Sequence, residues 1–224
     1  MNFVFSYLLT PFFNWSYPIV GLSVVLLAAM KRFDFLPRQI SRLSYKSMLW
    51  AVLGYKILYA ALESAGQYYV WSVNEFTRLF LNQQGIDLGV LKEFSGKLFW
   101  LFDNRFGYFI FYSWGRFWMA VIVSLLAAWV FYLFLVFLKK YKERFFEEGE
   151  TELGFLLALA VGWPNFIVFL PLAFVSVVLV SIARMAFFKE AYTTLGAPFL
   201  LAAFISVLFG GYLINAFNLA MLQI

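Results

Sequence analysis

From Leu153 to Ile182 the chain runs for thirty residues without a charged side chain. As a single helix that stretch would be about 45 Å long at 1.5 Å per residue. The hydrocarbon core of a bilayer is only about 30 Å thick. A water-soluble fold would have to bury such a segment on every side, and the rest of the chain offers little to do it with. Of 224 residues, 64% are hydrophobic and 13% charged, against about 45–50% and a quarter in soluble domains. Too few polar groups remain to cover an outside, and the mean hydropathy of +0.83 agrees. The solvent is therefore lipid, and the expected fold is all-α: a polytopic transmembrane helical bundle in a single membrane domain.

About five spans follow from the apolar runs: 12–30, 48–68, 108–138, 154–182 and 193–222. Phe3 to Phe13 is too short to cross and reads as an interfacial segment. No basic n-region or small-residue cleavage site marks a cleavable signal, so the N-terminus is expected to be retained. Between the second and third spans, residues 72–105 balance four acids with four bases. Within them Leu88, Leu91, Phe94, Leu98, Leu101 and Phe102 recur at helical spacing. That pattern predicts an amphipathic helical segment, lying on the membrane face or packed on its own bundle.

Orientation comes from the bases. Residues 31–46 hold Lys31, Arg32, Arg38, Arg42 and Lys46 against Asp34 alone, and Lys139, Lys140, Lys142 and Arg144 follow the third span. The positive-inside rule puts both blocks in the cytoplasm. Residues 72–105 are then extracytoplasmic, the N-terminus outside, the connection at Arg184, Lys189 and Glu190 outside, and the C-terminus cytoplasmic. The formal charge of +5 points to anionic lipids at the cytoplasmic face rather than to nucleic acid. The multi-pass setting is expected to be a prokaryotic inner or plasma membrane.

The thirty-residue run carries its own interruption at Gly162, Trp163, Pro164 and Asn165. Pro164 has no N–H for the carbonyl of Ala160, so the helix must kink by more than about 20° or break. Two readings fit: one kinked, tilted span, or a short re-entrant piece before a span from Asn165 to Ile182. A broken helix frees backbone groups that transporters use to hold ions or substrates; a plain kink is the simpler role.

Two further polar groupings stand out. Lys56 and Glu63 lie seven residues apart in the second span, on one helix face with Tyr59 and Gln67. A charge in mid-bilayer is costly, so this stripe is a candidate polar pathway or pairing face. The simpler readings are snorkelling to the two surfaces and a structural ion pair with a neighbouring subunit. In the last span Gly211, Asn215 and Asn218 share a face, with Gly210 beside them, in the small-plus-amide pattern of helix packing in lipid.

The chain has no Cys and no His. Disulfides, thiolate metal sites, Cys nucleophiles, His triads and His-ligated haem are excluded. No phosphate loop, dinucleotide fingerprint or calcium loop is present. No catalytic residues, metal or cofactor are assigned. The 30 Phe, 13 Tyr and 8 Trp fill bundle and lipid surfaces without the spacing of a cation cage. In layout alone (N-outside, five spans, a large outer segment after the second) the chain resembles the polytopic inner-membrane subunits of type IV secretion channels, a likeness that carries no residue over. The reading that results is a non-enzymatic integral membrane subunit of a larger assembly, of transport or translocation type, partnered by other membrane subunits or by copies of itself. The alternative is a self-contained small-solute or ion transporter or channel. A lipid-modifying membrane enzyme, working with Asp, Glu, Lys, Tyr or Ser alone, is the third.

Overall fold

The structure is a computed structural model that describes residues 2–35, 37, 43–81, 106–142, 146–189, 194–219 and 221. These residues are helical and contain no strand. We number the helices α1 (Asn2–Arg32), α2 (Tyr45–Val73), α3 (Glu75–Leu81), α4 (Gly107–Ser113), α5 (Met119–Tyr141), α6 (Glu150–Val161), α7 (Phe166–Phe188) and α8 (Gly196–Ala216); a π turn, Trp114–Trp118, joins α4 to α5. Three stretches among the described residues are long and apolar enough to cross a membrane: Gly107–Tyr141, Phe166–Phe187 and Gly196–Ala216. The chain is thus a helical membrane protein.

Two compact units divide the chain, one formed by residues 1–53 with 123–223 and the other by 54–122. In the larger, α6 is the centre. It is apolar all round apart from its first turn, and ten of its twelve residues are buried, the expected fate of a helix with no polar stripe. Close approaches fix its neighbours. A Cβ on Gly154 would run into Leu135 of α5 and Phe199 of α8, and one on Gly21 of α1 would meet Val207 of α8 and the carbonyl of Ala160. Phe131 of α5 completes the core, its ring 5.9 Å from Phe166, 5.7 Å from Phe169 and 5.7 Å from Phe199.

These contacts set the directions. Glu150 meets Leu195 and Gly196 and Gly154 meets Phe199, so α6 and α8 run parallel. Asn165, just before α7, sits against Gly210 late in α8, and seven residues join the end of α7 to the start of α8. α7 and α8 are therefore antiparallel, and α6 and α7 form a hairpin about its break. Of the two readings of residues 154–182, one kinked helix or a short piece before a second helix from Asn165, the backbone has the second division: α6 stops at Val161 and α7 begins at Phe166. One expectation is corrected here. The last helix does not start at the end of the bundle opposite the basic blocks: its first turn lies beside the C-terminal end of α1 and the start of α6, held there by Arg32 and Glu150.

α1 differs from expectation too. It is one helix from Asn2 rather than an interfacial piece followed by a span, and its backbone carries through Pro11 and Pro18. An apolar setting, where every backbone group seeks an internal partner, favours continuing the helix at the loss of one bond per proline.

In the smaller unit, the end of α2 packs with α3 and α4 around Trp71. Its ring lies 4.9 Å from Tyr112, 5.7 Å from Phe109, 5.9 Å from Phe80 and 6.1 Å from Tyr108. Trp71 is a buried anchor, while Tyr68 and Tyr69 stay exposed. Asn74 starts α3 by accepting the Phe76 N–H at 3.0 Å. α3 exposes Phe76 and Leu79 beside Glu75 and Arg78, an amphipathic turn at the head of the segment predicted over 72–105. The predicted helical face from Leu88 to Phe102 lies outside the described residues.

Candidate functional site

The polar stripe on α2 belongs to the unit 54–122. Lys56, eleven residues or about 16 Å into α2, is 4% exposed. One turn on, Tyr59 is partly buried and its hydroxyl bonds to the Glu63 carboxyl; the guanidinium of Arg116, from the π turn, lies within electrostatic reach of the same carboxyl. Ser64 donates to the Ala60 carbonyl at 2.8 Å and accepts the indole N–H of Trp118 at 3.2 Å. Gln67 is partly buried and Arg116 exposed. The helix thus gathers a hydroxyl, an amide and a carboxylate on one stripe and sets a guanidinium beside it. Arg116 sits within the π turn, a local departure from the regular helix of a kind that recurs at functional sites.

A second polar group lies in the larger unit, at the start of α6. The Glu150 carboxylate is 1% exposed. Its Oε1 accepts the Gly196 N–H at 2.8 Å; its Oε2 accepts the Leu195 N–H at 3.2 Å and the Glu147 N–H at 3.1 Å. Arg32 reaches Glu150 at 3.4 Å, pairs with Glu147 and donates to Thr194 at 3.2 Å. An anion on the orphan amides of a helix N-terminus is favoured by both hydrogen bonding and the helix dipole. The fit is close: a Cβ on Gly196 would stand 2.7 Å from both Arg32 Nε and Glu150 Oε1. Around the cluster, Lys31 lies 5.4 Å above the Tyr45 ring and Lys46 approaches Glu152 at 3.9 Å. Burial pushes the Tyr45 phenol above its usual 10.0; Arg32 pulls it back, and Glu150, Asp34 and Glu147 add to the rise.

The break between α6 and α7 lies about 18 Å along α6 from this cluster. Gly162 ends α6 at φ 64°, a left-handed value that only glycine adopts without strain, and its N–H closes on Ala158 at 3.1 Å. The Trp163–Pro164 peptide is cis. The Trp163 N–H donates to Ser124 Oγ of α5 at 2.8 Å. Asn165 carries its amide into the notch left by Gly210, where a Cβ would come within 2.6 Å of Oδ1.

The structure thus joins two groupings that sequence spacing kept apart, the break and Gly210. Gly211, Asn215 and Asn218 are exposed, among the described residues nothing lies within 4 Å of a Cβ at Gly211, and Asn218 falls past the end of α8 in a left-handed turn, so it shares no helix face with the others. Sequence reasoning missed Arg116, Arg32, Glu147, Glu150 and Ser124. Arg116 was visible as a lone base in an apolar run. Glu150 was hidden in a run of four acids that reads as solvated. Among the described residues no group of three His, Cys, Asp or Glu is placed to hold a metal. The chain matches no protein-family model, and no characterised protein or solved structure resembles it significantly.

Proposed function

We propose that the chain is a non-enzymatic integral membrane subunit of a larger assembly, of transport or translocation type. One observation carries the reading: the Tyr59–Glu63–Arg116 group is open on one side. Glu63 and Gln67 are only partly buried and Arg116 is exposed, among surfaces that are otherwise apolar, with Leu58, Leu62 and Trp114 exposed nearby. Charged groups so placed are costly against acyl chains, and a second membrane subunit or a water-filled path relieves that cost. Purification from native membrane in mild detergent followed by mass spectrometry tests it. Co-purifying membrane subunits, lost or weakened with Glu63→Gln and Arg116→Gln, are expected; a lone monomer whose behaviour neither change alters would overturn the proposal. The second reading, a self-contained transporter or channel, is favoured by the α6–α7 break, a half-helix ending inside the apolar layer. A homo-oligomer that moves an ion in vesicles without any partner would select it.

For topology we propose four complete crossings (α1, α2, the α4–α5 helix and α8), with α6 and α7 as a hairpin that enters and leaves by the basic face. This replaces the five-span layout, and with it the likeness to secretion-channel subunits. It is supported by the hydrogen bonds that tie the start of α8 to the start of α6, and by the charges. Arg184 and Lys189 then join Lys31, Arg32, Lys46, Lys139, Lys140 and Lys142 on one face, as the positive-inside rule requires of the cytoplasm. The chain then leaves α8 on the outer face. The absence of native cysteine makes the check simple. Cysteines introduced at Ser44 and Lys189 should both resist a membrane-impermeant thiol reagent in intact cells. Labelling at 189 with protection at 44 would restore the five-span layout.

A further inference from the structure

We propose that α6 is a movable plug, and that the Arg32–Glu147–Glu150 cluster is the latch that seats it. α6 fills the middle of the larger unit, and along its length it is held by apolar contacts with α1, α5 and α8. Among the described residues its polar ties to the rest of the unit lie near its two ends. The inner end has the hydrogen bond from Trp163 to Ser124 and the Asn165 notch at Gly210. At the mouth three backbone amides and a guanidinium converge on one carboxylate, and Lys46 approaches Glu152 at 3.9 Å.

The latch joins three elements that are distant in sequence: the end of α1, the start of α6 and the start of α8. A buried charge cluster is a poor choice if stability is all that is wanted, because well-packed apolar residues hold such a place as firmly. Its distinguishing property is that it fails as a unit once one member is lost. The cluster also has an exposed handle. Glu147 is 49% exposed while Glu150 is 1% exposed, and Arg32, at 23%, bridges them. A group arriving at the basic face can therefore compete for Arg32 or Glu147 without first entering the core. With the latch open, the inner end of α6 stays tied at Trp163 and Asn165, while the contacts along its length are apolar, non-directional and compatible with a swing of its mouth about that end. The proposal deepens the transport reading by naming the part that moves, but its test reads motion and not flux, so either can fail alone.

The experiment places a single cysteine at Leu157, which is fully buried about 10 Å inside α6, in the full-length protein in its native membrane. A small water-soluble methanethiosulfonate is the probe. In the parent the thiol should be protected. With Glu150→Gln, and separately with Arg32→Gln, it should react at least about tenfold faster, the factor that one charge-assisted hydrogen bond is worth. Glu148→Gln, an equal charge change two residues away, should leave it protected. Protection that persists in both latch variants overturns the proposal. So does loss of the folded protein from the membrane in both, which would make the cluster a fixed staple. Acceleration equal in the Glu148 variant overturns it as well, by showing a response to net charge alone.

Discussion

Glu150 and Glu63 are both carboxylates at the edge of or within an apolar layer, and the fold treats them in opposite ways. Glu150 is closed: two elements spend three amides on it and a third supplies Arg32. Glu63 is open: among the described residues it has one hydroxyl from its own helix and one guanidinium at longer range, and part of its surface is uncovered. A closed carboxylate has its bonding capacity used inside the chain, so its effect is on the chain's own arrangement. An open one keeps capacity for something outside. The contrast is a physical criterion for separating structural from interacting charges, and it makes unequal demands on substitution.

The largest effect is expected at Glu150→Ala. Removing the carboxylate strands the amides of Leu195, Gly196 and Glu147 and leaves Arg32 partly buried beside them, a loss of about 3–5 kcal/mol by analogy with broken buried pairs. A large fall in the thermal unfolding midpoint in mild detergent would show it, with Glu63→Ala changing the same midpoint little. Comparable losses at the two positions would erase the distinction.

Next is the notch. Gly210→Ala sets a methyl group against the Asn165 amide and is expected to cost about 1–3 kcal/mol as overpacking. Asn165→Ala in the same chain should return most of it, because the two side chains contend for one space. A double-mutant cycle in detergent measures the coupling. Additive effects would mean that Asn165 moves aside freely and that the inner end of the hairpin is not pinned there.

How far the sequence foretold this arrangement depended on the range of the physics involved. Pro164 and Gly162 reported the break, since a missing N–H and a left-handed φ are local facts. The apolar runs reported helices and lipid. What stayed hidden was direction. That α8 starts beside the start of α6 shows only in the pairing of Glu150 with Leu195 and Gly196, some 45 residues away. In the proposed topology the bases at 184 and 189 join the other basic blocks on one face, where the five-span layout set them apart from those blocks. Asn215 and Asn218 were grouped by counting three and four along a helix that in fact ends at Ala216. Arg116 was legible as an isolated charge, but the π turn that carries it was not.

A smaller stability change, under about 1 kcal/mol, is expected for Glu63→Gln, since a partly exposed charge gains little from one distant partner. The amide keeps an acceptor for Tyr59 and loses the charge facing Arg116. The comparison predicts that fold and membrane level stay near those of the parent while co-purification of partner subunits falls. A variant with unchanged assembly would mean that the open side of Glu63 faces headgroups and that the carboxylate merely snorkels.

The last prediction tests whether the closed cluster reaches its surroundings. Tyr45 stands at its rim, and its phenol ionises above 10.0, chiefly through burial, with Glu150, Asp34 and Glu147 adding to the rise and Arg32 opposing it. The folded state thus holds the phenol proton more tightly than the unfolded chain does. The associated stability is fully present below about pH 10, where both states are protonated, and is lost as pH climbs from the unfolded value through the folded one. Lysines and other tyrosines titrate in the same window, so the parent curve alone says little; its difference from Tyr45→Phe isolates the one group. Thermal midpoints between pH 8 and pH 11 should fall more steeply in the parent than in that variant. Adding Glu150→Gln to both should narrow the gap, because a negative charge that raises the phenol is gone. A gap that keeps its size would mean that burial alone sets the Tyr45 ionisation and that the cluster's field ends at its own hydrogen bonds.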